Sequence, residues 1–231
     1  LVLEGWGIAP AHVGNALTEA KPEYITHLLN HYPALALAAA GPATGVSAPA
    51  SESGHLLIGG GRPLIAMREL IDKNIAAGAF LKSAPVRSAF KKIRGKRLHL
   101  IGLVSASDRD ASESHIDMLL QAARQFAPQR VMVHCILDGK DSAPRYGRGA
   151  VAALESKLEG LGAIASLSGR FYALDLYRHA ARLQKAATAI VSAQGNIFAS
   201  AEEAFAATYE KKLFDEEFPP AAIVSAGAED G

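Results

Sequence analysis

With 231 residues, 49% hydrophobic and 20% charged, the chain can bury a sizeable core in one or two domains. A formal net charge of +1 implies no general attraction to nucleic acid or membranes, and a single cysteine excludes an intrachain disulfide framework and suits a reducing compartment. No apolar run reaches the roughly 20 residues that span a bilayer, and no charged stretch precedes an apolar one in the manner of a secretory signal.

The opening LVLEGWG reads as the end of a buried strand that breaks at Glu4 into a glycine turn. A carboxylate there is a usual address for a metal ligand, and equally an ordinary strand-end residue. The chain begins inside this strand without a Met, so the expectation is a piece of a longer protein. Residues 21–32, KPEYITHLLNHY, fit a helix with Pro22 in the first turn and Tyr24, Ile25, Leu28 and Leu29 as its apolar face. His27 and His31 stand at i, i+4, a ligand spacing, but no third ligand accompanies them and a solvated helix face is expected.

A loop of Gly, Pro, Ser and Ala leads to SAPASESGHLLIGGGR, residues 47–62. Glycines allow close backbone approach to a ligand, and free N–H groups at a helix start hold an oxyanion. Ser51 in that place is a candidate nucleophile if a metal or base takes its proton. A plain helix cap is the bland alternative. Helices are then expected over 64–75 and 84–92, the second stopped by Gly95. The cluster Lys91, Lys92, Arg94, Lys96 and Arg97 reads as a solvated helix end.

Beyond Gly95 strands alternate with helices. Strands are predicted over 98–104, 130–137, 163–167 and 221–224, and helices over 115–126, 149–161, 178–192 and 201–212. Cys135 falls inside a strand as a small core residue. The pattern is α/β, a mostly parallel sheet with helices on both faces, preceded by an incomplete segment; the expected domains are 1–65 and 66–231. Ligands of such sheets sit beyond the carboxyl ends of the strands. Those ends, 105–112, 138–144 and 168–178, are all polar, which points to one cleft for an anion or a polyol.

LEGWG and ASESGH together resemble the DGWG and NSEVGH motifs of the cofactor-independent (2,3-bisphosphoglycerate-independent) phosphoglycerate mutases. The likeness continues in order through Gly14-Asn15-Ala16, GLVS (102–105), ILDGKD (136–141) and SGRFYALD (168–175). It implies that residues 1–65 are part of an alkaline-phosphatase-like domain and 66–231 a substrate-binding domain. It further implies a cytoplasmic, monomeric isomerase of glycolysis that passes phosphate between 3- and 2-phosphoglycerate through a phosphoserine. Two Mn or Mg ions would serve as cofactors and a small phosphorylated acid as ligand, with no nucleic acid or membrane partner. By motif, Ser51 matches the nucleophile and a metal ligand, and Glu4 matches a metal-binding Asp. Asp141 matches the hydroxyl-binding Asp, and Arg170 a substrate arginine.

The likeness also has departures. Lys140 stands where the family has Arg, keeping the charge but losing the fork. Asp110 and Ser112 stand where the family has His, while His115 is retained; by position the resemblance places Asp110, with Lys140, Asp141 and Arg170, among the substrate-binding residues. A second substrate arginine falls on Leu176, and Arg178, two residues later, is the candidate replacement. Further arginines, a lysine and the remaining metal ligands of the family lie beyond residue 231, so no appreciable mutase activity is expected of this chain alone. The alternatives are another metal-dependent phosphomutase or phosphatase of the superfamily, and a non-catalytic module that binds a phosphorylated acid.

Overall fold

A computed structural model describes residues 1–46, 49–65, 67–107 and 110–224. Parts of the loops expected at 41–50 and 105–112 therefore lie outside the described residues. The chain separates into two compact units, Leu1–Lys73 and Asn74–Gly231.

Among its described residues the first unit carries the helices α1 (Ala16–Ala20), α2 (Glu23–His31) and α3 (Ser51–Gly60), and most of α4 (Met67–Ala76), within which the division falls. Asn15 caps α1 by accepting the Leu17 N–H at 3.0 Å. Helix α2 presents His27 and His31 to solvent, stacked 4.1 Å apart, as the sequence suggests. Helix α3 ends at Gly61, whose φ of 58° is a conformation that glycine adopts without strain.

In the second unit a 3₁₀ turn (Phe80–Lys82) leads into α5 (Ala84–Lys92) and the edge strand β1 (Arg97–Val104). The alternation continues through α6 (Glu113–Phe126), β2 (Arg130–Leu137), α7 (Tyr146–Leu158), β3 (Gly162–Gly169), α8 (Arg170–Ala173) and α9 (Ala180–Ser192). It closes with β4 (Asn196–Phe198), α10 (Ala201–Glu210) and β5 (Ala221–Ile223). The sheet order is β1-β2-β3-β5-β4. Strands β1, β2 and β3 run parallel, and so do β4 and β5, but β5 meets β3 antiparallel through Ser166↔Ala222 and Leu167↔Ala221. The mostly parallel α/β sheet expected from the sequence is thus present. Strand β4 escapes sequence reading because three residues after Gly195 carry no period.

Alternation along β2 sorts the core. Val131, Val133, Cys135 and Leu137 are all buried, in one cluster with Leu120, Ala122 and Ala123 of α6 and Val151, Leu154 and Leu158 of α7. Burial, with a smaller contribution from Glu155, pushes the Cys135 thiol up to about 12, so it is an inert core residue. The residues of opposite parity on β2 include His134 and Asp138 just beyond its end, both buried and polar. His134 hydrogen-bonds His99 at 3.0 Å and Ser166 at 2.8 Å, a row across β1, β2 and β3. Burial, then the neighbouring His99, depresses the His134 imidazole to about 4, keeping it neutral.

Several helix starts differ from the expected ones by two or three residues, and for α7 and α9 the structure supplies the physical reason. Helix α7 begins three residues early because its cap is tertiary: buried Asp215 accepts the Gly147 N–H at 2.7 Å and the Tyr209 hydroxyl at 2.6 Å. A cap supplied from 68 residues away leaves no local signal. Helix α9 begins at Ala180 rather than 178, because Arg178 adopts φ 63°, outside the helical range. By contrast α10 is capped locally. The Ser200 hydroxyl accepts the Glu203 N–H, and the Glu203 carboxylate accepts the Ala199 N–H.

Candidate functional site

The chemistry-bearing residues fall into two groups, one in each unit. In the first unit Ser51 occupies the first position of α3. The preceding Ala50 is the cap residue and makes no side-chain cap bond. Ser51 is therefore free of the capping role, and its exposed hydroxyl donates to both Glu4 carboxylate oxygens at 3.0 and 3.1 Å. His55, one turn along the same helix, places Nε2 2.5 Å from Glu4 Oε1. A carboxylate, a hydroxyl and an imidazole thus converge at one helix start, where the dipole favours an anion. They line a cavity of about 770 Å³ that Arg62 also borders. His55 was not assigned from sequence, although the i, i+4 spacing from Ser51 would have found it. Among the described residues no group of three His, Cys, Asp or Glu side chains is arranged to hold a metal.

The second group is built by the sheet. Val104, Leu137 and Gly169 are register partners at the carboxyl ends of β1, β2 and β3. The next residue on each strand is polar: Ser105, Asp138 and Arg170. Ser105 Oγ donates to Asp138 Oδ2 at 2.6 Å, and Arg170 Nη1 donates to Asp138 Oδ1 at 2.5 Å. The N–H groups of Lys140 and Asp141 complete the shell of Asp138 at 3.3 and 3.2 Å. The same Arg170 nitrogen reaches Asp141 Oδ2 at 3.1 Å, and Nη2 stands 3.6 Å from Asp110 Oδ2.

Burial alone would raise the Asp138 pKa. The bonds from Ser105, Arg170 and the two backbone amides outweigh it and bring the carboxyl down to about 2 from an ordinary 3.8. A depressed carboxylate stabilises the fold above its unfolded pKa and loses that contribution as pH falls through the folded value. Stability is therefore expected to drop between about pH 4 and pH 2 by about 2 kcal/mol on account of Asp138. Urea midpoints across that window should fall more steeply in the wild type than in Asp138→Asn, and equal slopes would contradict the assignment.

Of the residues singled out from sequence, Arg170, Asp141 and Asp110 are brought together. Lys140 joins them through its backbone while its side chain is exposed. Arg178 is exposed, and among the described residues no hydrogen bond or ion pair joins it to the Arg170 cluster. The loop that carries Arg178 is instead pinned by Asp175, which accepts from His179 N at 2.6 Å and Arg182 Nη1 at 3.0 Å. The Arg182 guanidinium also stacks 3.8 Å over Phe171. Ser105 and Asp138 were not assigned from sequence. The signal was present in the strand pattern, a polar residue immediately after each of three adjacent strands.

Residues 71–231 match the family model described as BPG-independent PGAM N-terminus (iPGM_N). The chain is 36% identical over 234 residues to the 2,3-bisphosphoglycerate-independent phosphoglycerate mutase of Moorella thermoacetica, covering 98% of this chain and 46% of that protein. The enzyme of the same name from Chloroflexus aurantiacus is 35% identical, over 99% of this chain and 44% of its own length. The chain thus spans somewhat less than half of these curated relatives. Among solved structures, that of Leishmania mexicana phosphoglycerate mutase at low cobalt concentration superposes with a TM-score of 0.76 at 27% identity, covering 83% of this chain and 38% of that one. With the family model matched over most of the chain and the fold shared, this protein belongs to the 2,3-bisphosphoglycerate-independent phosphoglycerate mutase family and corresponds to its N-terminal part.

Proposed function

We propose that this chain carries the phosphoserine segment and the substrate-holding unit of a mutase that interconverts 3- and 2-phosphoglycerate in glycolysis, in the cytoplasm. The observation that carries the reading is the cluster at the three strand ends. There Arg170 and Asp141 are held side by side, a cation for carboxylate or phosphate and an acceptor for a hydroxyl. Lys140 adds an exposed ammonium on the same loop.

In the first unit Ser51 supplies the hydroxyl nucleophile. Glu4 accepts its hydrogen bond and orients it, and the α3 N-terminus offers N–H groups to the phosphoserine dianion. Glu4 and Ser51 offer hard oxygen donors and His55 an imidazole nitrogen, donor types that Mn or Mg accepts. When bound, such an ion supplies charge that lowers the serine pKa and neutralises phosphoryl oxygens. In the second unit Arg170 holds the anionic group, Asp138 fixes the guanidinium in place, and Asp141 takes the hydroxyls. On this reading residues 1–65 descend from an alkaline-phosphatase-like domain and 66–231 form the substrate domain.

Titration of the 231-residue chain with 3-phosphoglycerate tests the reading. Lys140→Ala and Arg170→Lys are each expected to weaken binding by about tenfold, since one removes a charge and the other loses the bidentate fork. Binding unaffected by both substitutions would remove the second unit as the ligand's seat.

A further inference from the structure

The Arg170 guanidinium is not an open cation. Its Nη1 is shared by Asp138 and Asp141, and its Nη2 faces Asp110 at 3.6 Å, beyond hydrogen-bond reach. Among the described residues, three carboxylates therefore face this one guanidinium. They are not equivalent. The Asp138 side chain is 0% exposed and locked by Ser105 and two backbone amides, so its pairing with Arg170 is part of the fold. Asp141 is 18% exposed and hydrogen-bonded to the guanidinium. Asp110 is 52% exposed and makes the longest contact of the three.

We infer that Asp110 is a built-in competitor for the anion at this site, an autoinhibitory carboxylate facing the guanidinium nitrogen that a phosphorylated acid would take. The inference rests on the phosphorylated-acid reading of the same cluster and says how that site is regulated. An incoming carboxylate or phosphate must displace Asp110 from Nη2 and, while bound, remains close to its charge. Asp138 cannot yield, because a buried carboxylate without its guanidinium is strongly disfavoured. Asp141 yields only by giving up a hydrogen bond. Among the described residues Asp110 is held by charge alone, so it sets the affinity without being needed for the fold. Like charge at contact distance in a half-exposed site corresponds to roughly tenfold in affinity. Because the opposition is electrostatic, it weakens as salt rises.

The test is calorimetric titration of the 231-residue chain with 3-phosphoglycerate, comparing wild type, Asp110→Asn and Lys140→Ala at fixed ionic strength. Asp110→Asn keeps the shape and removes the charge. It is expected to tighten binding about tenfold, with the gain shrinking at high salt and the thermal midpoint unchanged. A wild type that binds and is weakened by Lys140→Ala, beside an Asp110→Asn variant that binds equally or less well, overturns the competitor role and leaves the site standing. Absence of binding in both wild type and Asp110→Asn overturns the competitor role together with the phosphorylated-acid reading. Binding detected in Asp110→Asn alone supports the competitor.

Discussion

Gly169→Ala is expected to destabilise the second unit by about 3 kcal/mol and to disperse the Arg170 cluster. Backbone torsion is not the reason, since Gly169 has φ −68°, which alanine adopts freely. The space around it is. A methyl group at 169 would overlap the Glu216 carbonyl oxygen and stand 2.6 Å from both the Asp215 carbonyl oxygen and the Phe218 amide nitrogen. All three are main-chain atoms, so no rotamer change relieves the clash. The same crossing segment accepts the Phe171 N–H at Glu216 and the Gly169 N–H at Phe218, at 3.0 and 2.8 Å. Forcing it outward breaks both bonds and moves Arg170, the next residue, off Asp138. Urea unfolding of Gly169→Ala, with Gly149→Ala as a control where a methyl meets open space, measures the effect. A variant within 1 kcal/mol of the control would mean that the crossing segment does not fix Arg170.

That glycine also shows what the sequence could and could not convey. The parallel strands, their helices and the polar character of the strand ends all follow from local period and punctuation. The meeting of Arg170 with Asp141 was foreshadowed because each sits within a few residues of a strand end. Ser105 and Asp138 passed unassigned, since their role comes from the register of β1, β2 and β3, which sets three otherwise ordinary residues in one row. The reason for Gly169 was wholly hidden. It lies in a segment 46 residues further on that crosses the strand end, and the same segment supplies the Asp215 cap of α7. In the first unit, the proximity of Ser51 to Glu4 was expected from two motifs 47 residues apart, whereas His55 needed only the helical turn that joins it to Ser51. Arg178, two residues past the position of the matched arginine, is exposed and takes a left-handed backbone conformation that no local sequence signal announces.

Arg170→Met is expected to cost about 3 kcal/mol at neutral pH, and much less when the same change is made in an Asp138→Asn background. Arg170 is itself only 15% exposed, so methionine fills most of its volume and the packing loss is small. What is lost is the partner of a carboxylate with no exposed surface. Removing one member of such a pair leaves an uncompensated buried charge, which typically costs about 3–5 kcal/mol. The lower end applies here, because Ser105 and the amides of Lys140 and Asp141 still bond to Asp138. The pH dependence follows with a definite sign. Burial raises the Asp138 pKa and Arg170 is among the bonds that lower it, so in Arg170→Met the folded-state value climbs from about 2 toward the ordinary range. The deficit against wild type should therefore be full at pH 7 and shrink as acid protonates Asp138 in both proteins. In the double variant an asparagine carries no charge to strand, so the two single effects should fail to add by more than about 1 kcal/mol. Chemical denaturation of the four proteins at pH 7 and pH 3 measures that coupling. Additivity within about 0.5 kcal/mol at pH 7 would show that Arg170 is held by its surroundings rather than by Asp138.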